Sequence, residues 1–228
     1  MLDQVIKKFL PNVSKVSDVF YESILETLKM FAIAGSISFL LGLFFGIVLL
    51  VCKPGGILEN KWIYNLLDKI INVLRSIPFI IMIAALIPLT RLVVGTAIGT
   101  TGAIFPLVVG ITPFFSRQIE SALSGVDPGL VESGKAMGMS AFGLIIHVYL
   151  KESIPAIVRA TTITSVNLIG LSAIVGVVGG GGIGNFAIMY GYQRSQVDAT
   201  YVSVIALLII VSMIELLGKR VLRNTKYY

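Results

Sequence analysis

Three long stretches of this chain are nearly free of charge, and they constrain its fold more than anything else in it. Met30 to Cys52 runs 23 residues without an acid or base, and Ser76 to Ser116 runs 41 with Arg91 alone. Ala160 to Gln193 carries no charge in 34 residues. About 20 apolar residues cross a bilayer as a helix, so each stretch holds at least one crossing. Charged residues are 13% of the chain and apolar residues 56%, against roughly 25% charged in an average soluble domain. A soluble domain of 228 residues could not hide that much apolar surface. An ordinary cytosolic enzyme and a disordered chain are both excluded.

The spacing predicts five spans, at about 23–52, 70–90, 96–118, 156–180 and 199–219. Lys53-Pro54-Gly55-Gly56 stops the first. Residues 57–75 read as an interfacial lead-in to the second, and a polar loop at 119–155 separates the third from the fourth. Five crossings put the termini on opposite sides. With the C-terminus inside, twelve basic residues face the cytoplasm and six face outward, so the positive-inside rule places the N-terminus out and the loop 119–155 in. Residues 223–228 form a cytoplasmic tail. Residues 1–22 carry Leu2, Val5, Ile6, Phe9, Leu10, Val13, Val16, Val19 and Phe20 at helical spacing. They read as an amphipathic segment that either lies in the membrane interface or packs on the protein's own spans. Asp3, Lys7 and Lys8 ahead of Pro11 do not suit a signal peptide.

One histidine, His147, and one cysteine, Cys52, make neither a disulfide nor a His/Cys zinc site. No GxxxxGK[ST], HExxH or GxSxG occurs. A membrane enzyme would need clustered nucleophiles, bases or metal ligands that the chain lacks. The net charge of +6 flanks the spans rather than forming one patch, which argues against nucleic acid. Gly179, Gly181 and Gly184 match GxGxxG, but their apolar flanks do not suit a dinucleotide. The run reads instead as close backbone packing or an unwound segment beside a pathway. On that reading Asn167, Ser172, Gly179, Gly180, Gly181 and Gly182 are the pathway candidates, with interhelical hydrogen bonding as the alternative for Asn167 and Ser172. Glu215 is taken as the only acid near a span, so ion-coupled transport finds little support. Gly42/Gly46, Gly95/Gly99, Gly134/Gly138 and Gly176/Gly180 are spaced for close helix approach.

In the polar loop, Asp127-Pro128 suits a helix start. Ser133, Gly134, Ala136 and Gly138 leave the helix that follows bare, between Leu130, Val131, Met137 and Met139. Such a helix can dock into a groove on another protein, and Glu132 and Lys135 could pair locally or across that contact.

Glu132-Ser133-Gly134, Gly138 and then Val148-x-Leu150 resemble the EAA loop of bacterial ABC importer permeases, E-A-A-x3-G-x9-I-x-L-P. Ser133 and Gly134 replace alanines, Val148 replaces isoleucine, and Lys151 stands where proline is expected. Arg75-Ser-Ile-Pro78-Phe-Ile, Ile87-Pro-Leu-Thr-Arg91, Val94 to Gly99, Gly170 to Gly184 and Tyr190-Gly-Tyr192 are similar to the methionine-importer permeases, over about 20–225.

The resemblance implies an all-α integral membrane protein of five transmembrane helices with the type I ABC importer permease fold. It implies a multi-pass subunit of the bacterial inner (plasma) membrane, working as a homodimer. Two copies of an ABC ATPase would dock on the cytoplasmic side, and an extracytoplasmic methionine-binding protein would deliver substrate. ATP and Mg would be bound by the partner ATPase, with no cofactor and no hydrolysis in this chain. Glu132, Ser133, Gly134, Lys135, Ala136, Met137 and Gly138 would form the coupling helix, glycine allowing close approach and Glu132 anchoring. Alternating access would import methionine, the L enantiomer and with it the D enantiomer as a candidate. Another amino acid or small solute is the alternative substrate, and a membrane protein without an ATPase is the alternative class.

Overall fold

The computed structural model describes residues 10–225. The chain divides into two compact units, each built from three separate stretches.

The helices follow from local chemistry. α1 (Ser17–Cys52) is 36 residues long and contains no proline. It ends where the Lys53–Gly56 turn begins, and Leu58 and Asn60 donate their N–H groups back to the carbonyls of Val51 and Cys52, covering otherwise orphaned acceptors. α2 (Lys61–Ser76) starts at Asn60, whose Oδ1 accepts from the N–H groups of Trp62 and Ile63 at 3.1 and 3.2 Å. Next come α3 (Phe79–Val94), with Pro88 inside it, and α4 (Gly99–Ser124). α5 (Pro128–Ala136) and α6 (Ala141–Leu144) lie in the polar loop, and wide π-type turns at Ile145–Leu150 extend α6. α7 (Ile154–Val175) leads into the glycine run, and α8 (Gly182–Phe186) continues as wide turns to Tyr192. α9 (Val197–Thr225) closes the described chain.

Four of these helices are long and apolar enough to cross a membrane, and α2 with α3 makes a fifth if counted together. The expected span at 70–90 is interrupted. Ile77 and Pro78 are both extended (ψ 125° and 129°), because a proline ring pushes its predecessor out of the helical region. α4 and α9 also run past the expected limits of 118 and 219, since helix continues beyond the apolar stretch into polar flanks.

One unit holds residues up to Ser36, Pro78–Val109 and Ser165–Ile214. Its core joins Val13, Phe186 and Ala199, with Leu10, Val16, Phe20, Tyr190 and Val202 packed around them. The Phe20 ring lies 5.1 Å from Phe186, which stacks on Tyr190 at 4.8 Å. Asp198 accepts from the backbone N–H groups of Asn12 and Val13 and from Asn12 Nδ2. Leu10, Val13, Val16 and Phe20 of the N-terminal stripe therefore rest on protein, Val19 is exposed, and Leu2 to Phe9 lie outside the described residues.

The other unit holds Ile37–Ile77, Gly110–Thr164 and residues from Glu215. Leu50, Phe115, Ile119, Leu123 and Ala160 form its core. Gly42 faces Phe115, and Gly46 faces Ile119 and the Ser116 carbonyl. A step of four on one helix matches a step of four on the other, so α1 and α4 run in the same direction here. A Cβ at either glycine would collide with α4. Of the four glycine pairs, this one is a helix–helix contact. Gly95 and Gly99 instead flank the bend between α3 and α4, at φ 83° and 74°. Asp68 and Asn72 of α2 hold Arg117 of α4, which also pairs with Glu120 at 2.7 Å.

Candidate functional site

Two places in the molecule gather the residues singled out by the sequence, one in each unit.

The first is the polar loop. Asp127 Oδ1 accepts from Gly129 N–H at 2.8 Å, with Pro128 at the first helical position. α5 ends in a paired closure: Gly138 N–H donates to the Lys135 carbonyl and Met139 N–H to the Gly134 carbonyl. This geometry needs a left-handed residue after the helix, and Gly138 has φ 77°. No atom lies within 4 Å of where its Cβ would stand, so within this chain Gly138 serves backbone conformation. Close approach belongs to Gly134, where a Cβ would press on Leu144 and meet the Met139 sulfur at 3.3 Å. Ser140 then caps α6, its Oγ accepting from Gly143 N–H at 3.1 Å.

The loop has its own small core of Val131, Leu144 and Val148, with Ile57, Val126 and Tyr149 around it. Gly134 and Val131 thus turn inward, whereas the sequence put both on the docking side. Glu132, Ser133, Lys135, Ala136, Met137 and Gly138 are exposed, and the ion pairs of the structure do not join Glu132 to Lys135. Outward apolar residues include Leu130, Met137, Met139 and Phe142, at 44%, 71%, 38% and 72% exposure. Phe142 lies beyond the stretch that the loop motif marks. An aromatic two residues after a serine cap was the available signal. Where proline was expected, Lys151 and Glu152 simply continue the helix, and a single turn residue, Ser153, precedes α7.

A cleft of about 690 Å³ adjoins this loop, lined among others by Gln118, Asp127, Leu130, Glu152 and Arg159.

The second place is the glycine run. α7 carries Asn167, half-buried, and Ser172, buried, whose Oγ donates to the Ile169 carbonyl at 2.7 Å. That bond lies within its own helix. Beyond Val175 the chain reverses. A Cβ on Gly176 would meet Asn185 N and the Gly184 carbonyl carbon, and one on Gly184 would meet the Ala173 backbone. The two arms are therefore packed backbone to backbone. Gly179 is exposed, whereas Gly180, Gly181 and Gly182 are buried. A cavity of about 170 Å³ lies beside the reversal, lined by Thr90, Ala103, Val175, Val178 and Gly180 among others. Of the six pathway candidates, Gly180 alone lines it.

Gly182 N–H donates to Glu26 Oε2 at 2.6 Å, and Ile183 N–H to Thr27 Oγ1 at 2.9 Å. Glu26 is an acid inside the first expected span. Glu215 is therefore not the only acid near a span.

Comparison with known proteins covers almost the whole chain. A family model described as the binding-protein-dependent transport system inner membrane component matches residues 38–224. The probable D-methionine transport system permease protein MetI of Vibrio cholerae is 42% identical over 211 residues, covering 92% of this chain and 94% of that one. The methionine import system permease protein MetP of Bacillus subtilis is 37% identical over 214 residues, covering 94% and 96%. A solved inward-facing structure of the MetNI methionine ABC transporter superposes with TM-score 0.89 at 39% identity, covering 91% of this chain and 96% of that one.

Proposed function

Because this chain belongs to the family of binding-protein-dependent transport system inner membrane components, we propose that it is the membrane-spanning subunit of an ATP-driven methionine importer. One observation carries the substrate. The similarity to methionine permeases extends through the spans at 42% and 37% identity, rather than being confined to the polar loop that every importer of this class needs.

The mechanism is the one that membership of this family implies, and the residues of the polar loop fit it. The capped helix α5 is a rigid knob, with Leu130, Met137 and Phe142 outward and Glu132 and Lys135 beside them. Apolar anchors on a short helix suit a groove on another protein, and the groove belongs to an ATPase that binds ATP and Mg. Two permease copies carry two knobs to two ATPase subunits. Closure of the ATPases on ATP draws the knobs together and turns the spans from inward-open to outward-open. An extracytoplasmic binding protein delivers methionine to the opposite face. This assignment sets the loop 119–155 and the C-terminus in the cytoplasm and the N-terminus outside.

The cleft beside α5 offers Arg159 to a carboxylate and Glu152 to an ammonium group, which supports an amino-acid cargo leaving on that side. Uptake of labelled methionine by a strain lacking its own importer, with this chain co-expressed beside its ATPase, tests the reading. We expect ATP-dependent accumulation, competed by both enantiomers of methionine. No accumulation, with uptake of another amino acid under the same conditions, overturns methionine as the substrate.

A further inference from the structure

We propose that Glu26 is a positioning residue for transport, whose carboxylate, together with Thr27, latches the glycine reversal onto helix α1 and so fixes one wall of the 170 Å³ cavity. The inference rests on the transport reading above.

The reversal from Gly176 to Gly182 holds five glycines in seven residues. Glycine loses more conformational freedom on ordering than any other residue, so such a segment does not hold one shape unaided. Gly179, Gly181 and Gly182 all have positive φ. The helix that follows has no cap from its own chain neighbours: Gly181 stands at the N-cap and has no side chain to offer. Its first two N–H groups are taken up by α1, 156 residues away in sequence. Buried N–H groups left without partners are costly, most of all where water is absent. They also carry the partial positive charge of a helix start, which favours an anionic acceptor. A carboxylate within a membrane-crossing helix is itself expensive and calls for a specific reason. In this structure it has no basic partner among the described residues, and its place is on the reversal. A Cβ on Gly181 would press on Glu26 Oε2 and meet Thr100 Cγ2 at 3.1 Å, so Gly181 is packed against both the carboxylate and the first turn of α4.

The latched Gly182 is two residues along the chain from Gly180, which lines the cavity. Gly180 and Val175 line it, and Val175 is only 2% exposed. Releasing the latch frees the glycine segment and opens that wall.

The test uses the purified permease–ATPase complex with Cys52, the chain's only cysteine, replaced by alanine and Val175→Cys introduced. Maleimide labelling of that cysteine reports wall opening and needs neither methionine nor turnover. We expect Glu26→Ala to speed labelling at least fivefold and to lower methionine moved per ATP hydrolysed by a similar factor. Glu26→Gln keeps an oxygen acceptor and should restore most of both. Labelling at the wild-type rate in Glu26→Ala overturns the latch, as does an unchanged transport-to-hydrolysis ratio. If Glu26→Ala does not assemble, Thr27→Val carries the test: faster labelling supports the latch and an unchanged rate overturns it. A complex with Glu26 intact that moves no methionine overturns the transport reading, while the labelling comparison still decides the latch.

Discussion

Gly138 has room for a side chain but stands at φ 77°, a conformation that costs an L-residue about 1–2 kcal/mol. Substitution there should act by undoing the closure of α5 rather than by crowding within this chain. Gly138→Leu should leave the chain inserted yet abolish co-purification of the ATPase. Gly138→Asn, which tolerates the left-handed region, should retain part of the association. Equal loss in both variants would mean that a clash with the partner dominates. Asp127→Ala should cost about 1 kcal/mol of helix stability and weaken the same association less. The sequence made this knob visible because caps and a terminating glycine leave fixed local signatures. It could not reveal that Gly134 turns inward, because that depends on Leu144, ten residues further along and across a turn.

At the scale of elements, the seam between α1 and α4 rests on two glycines facing Phe115 and Ile119. Lipid gives helices little hydrophobic reason to associate, so close approach through small residues carries much of the packing. Gly46→Leu should cost at least about 1–3 kcal/mol through overpacking, read as a lowered melting temperature of the detergent-purified chain, while exposed Gly170→Leu should leave it near wild type. α2 is held by polar contacts instead. Asp68→Ala leaves half-buried Arg117 without one acceptor and should cost about 1–3 kcal/mol. A double-mutant cycle with Arg117→Ala should show coupling between them. The number of apolar segments and the position of the polar loop were legible because charge and proline punctuate this chain strongly. The break at Ile77–Pro78 was written in the sequence too, but a continuous apolar run on its far side masked it. The role of Glu26 was not legible, since its partners lie 156 residues away and nothing local marks them.

For the molecule as a whole, the balance of basic residues predicts its direction in the membrane. With Cys52 removed, Lys135→Cys should resist an impermeant thiol reagent applied to intact cells, and Gln193→Cys should react. The reverse pattern would place the knob on the wrong side for an ATPase and remove the coupling account altogether. Long apolar faces remain uncovered on α9, including Ile205, Leu208, Ile209 and Met213. Such faces suit hydrocarbon and make a poor surface for water.

Met137 and Phe142 are a different matter, because they protrude from a polar loop that the proposed topology places in water. A copy synthesised without its motor displays there the kind of sticky surface that proteolytic quality control removes. Matched dosage of the two subunits would then be a condition of survival as well as of transport. A pulse-chase of this chain, with and without its ATPase, should give a clearly shorter half-life alone, and Phe142→Ser should lengthen it.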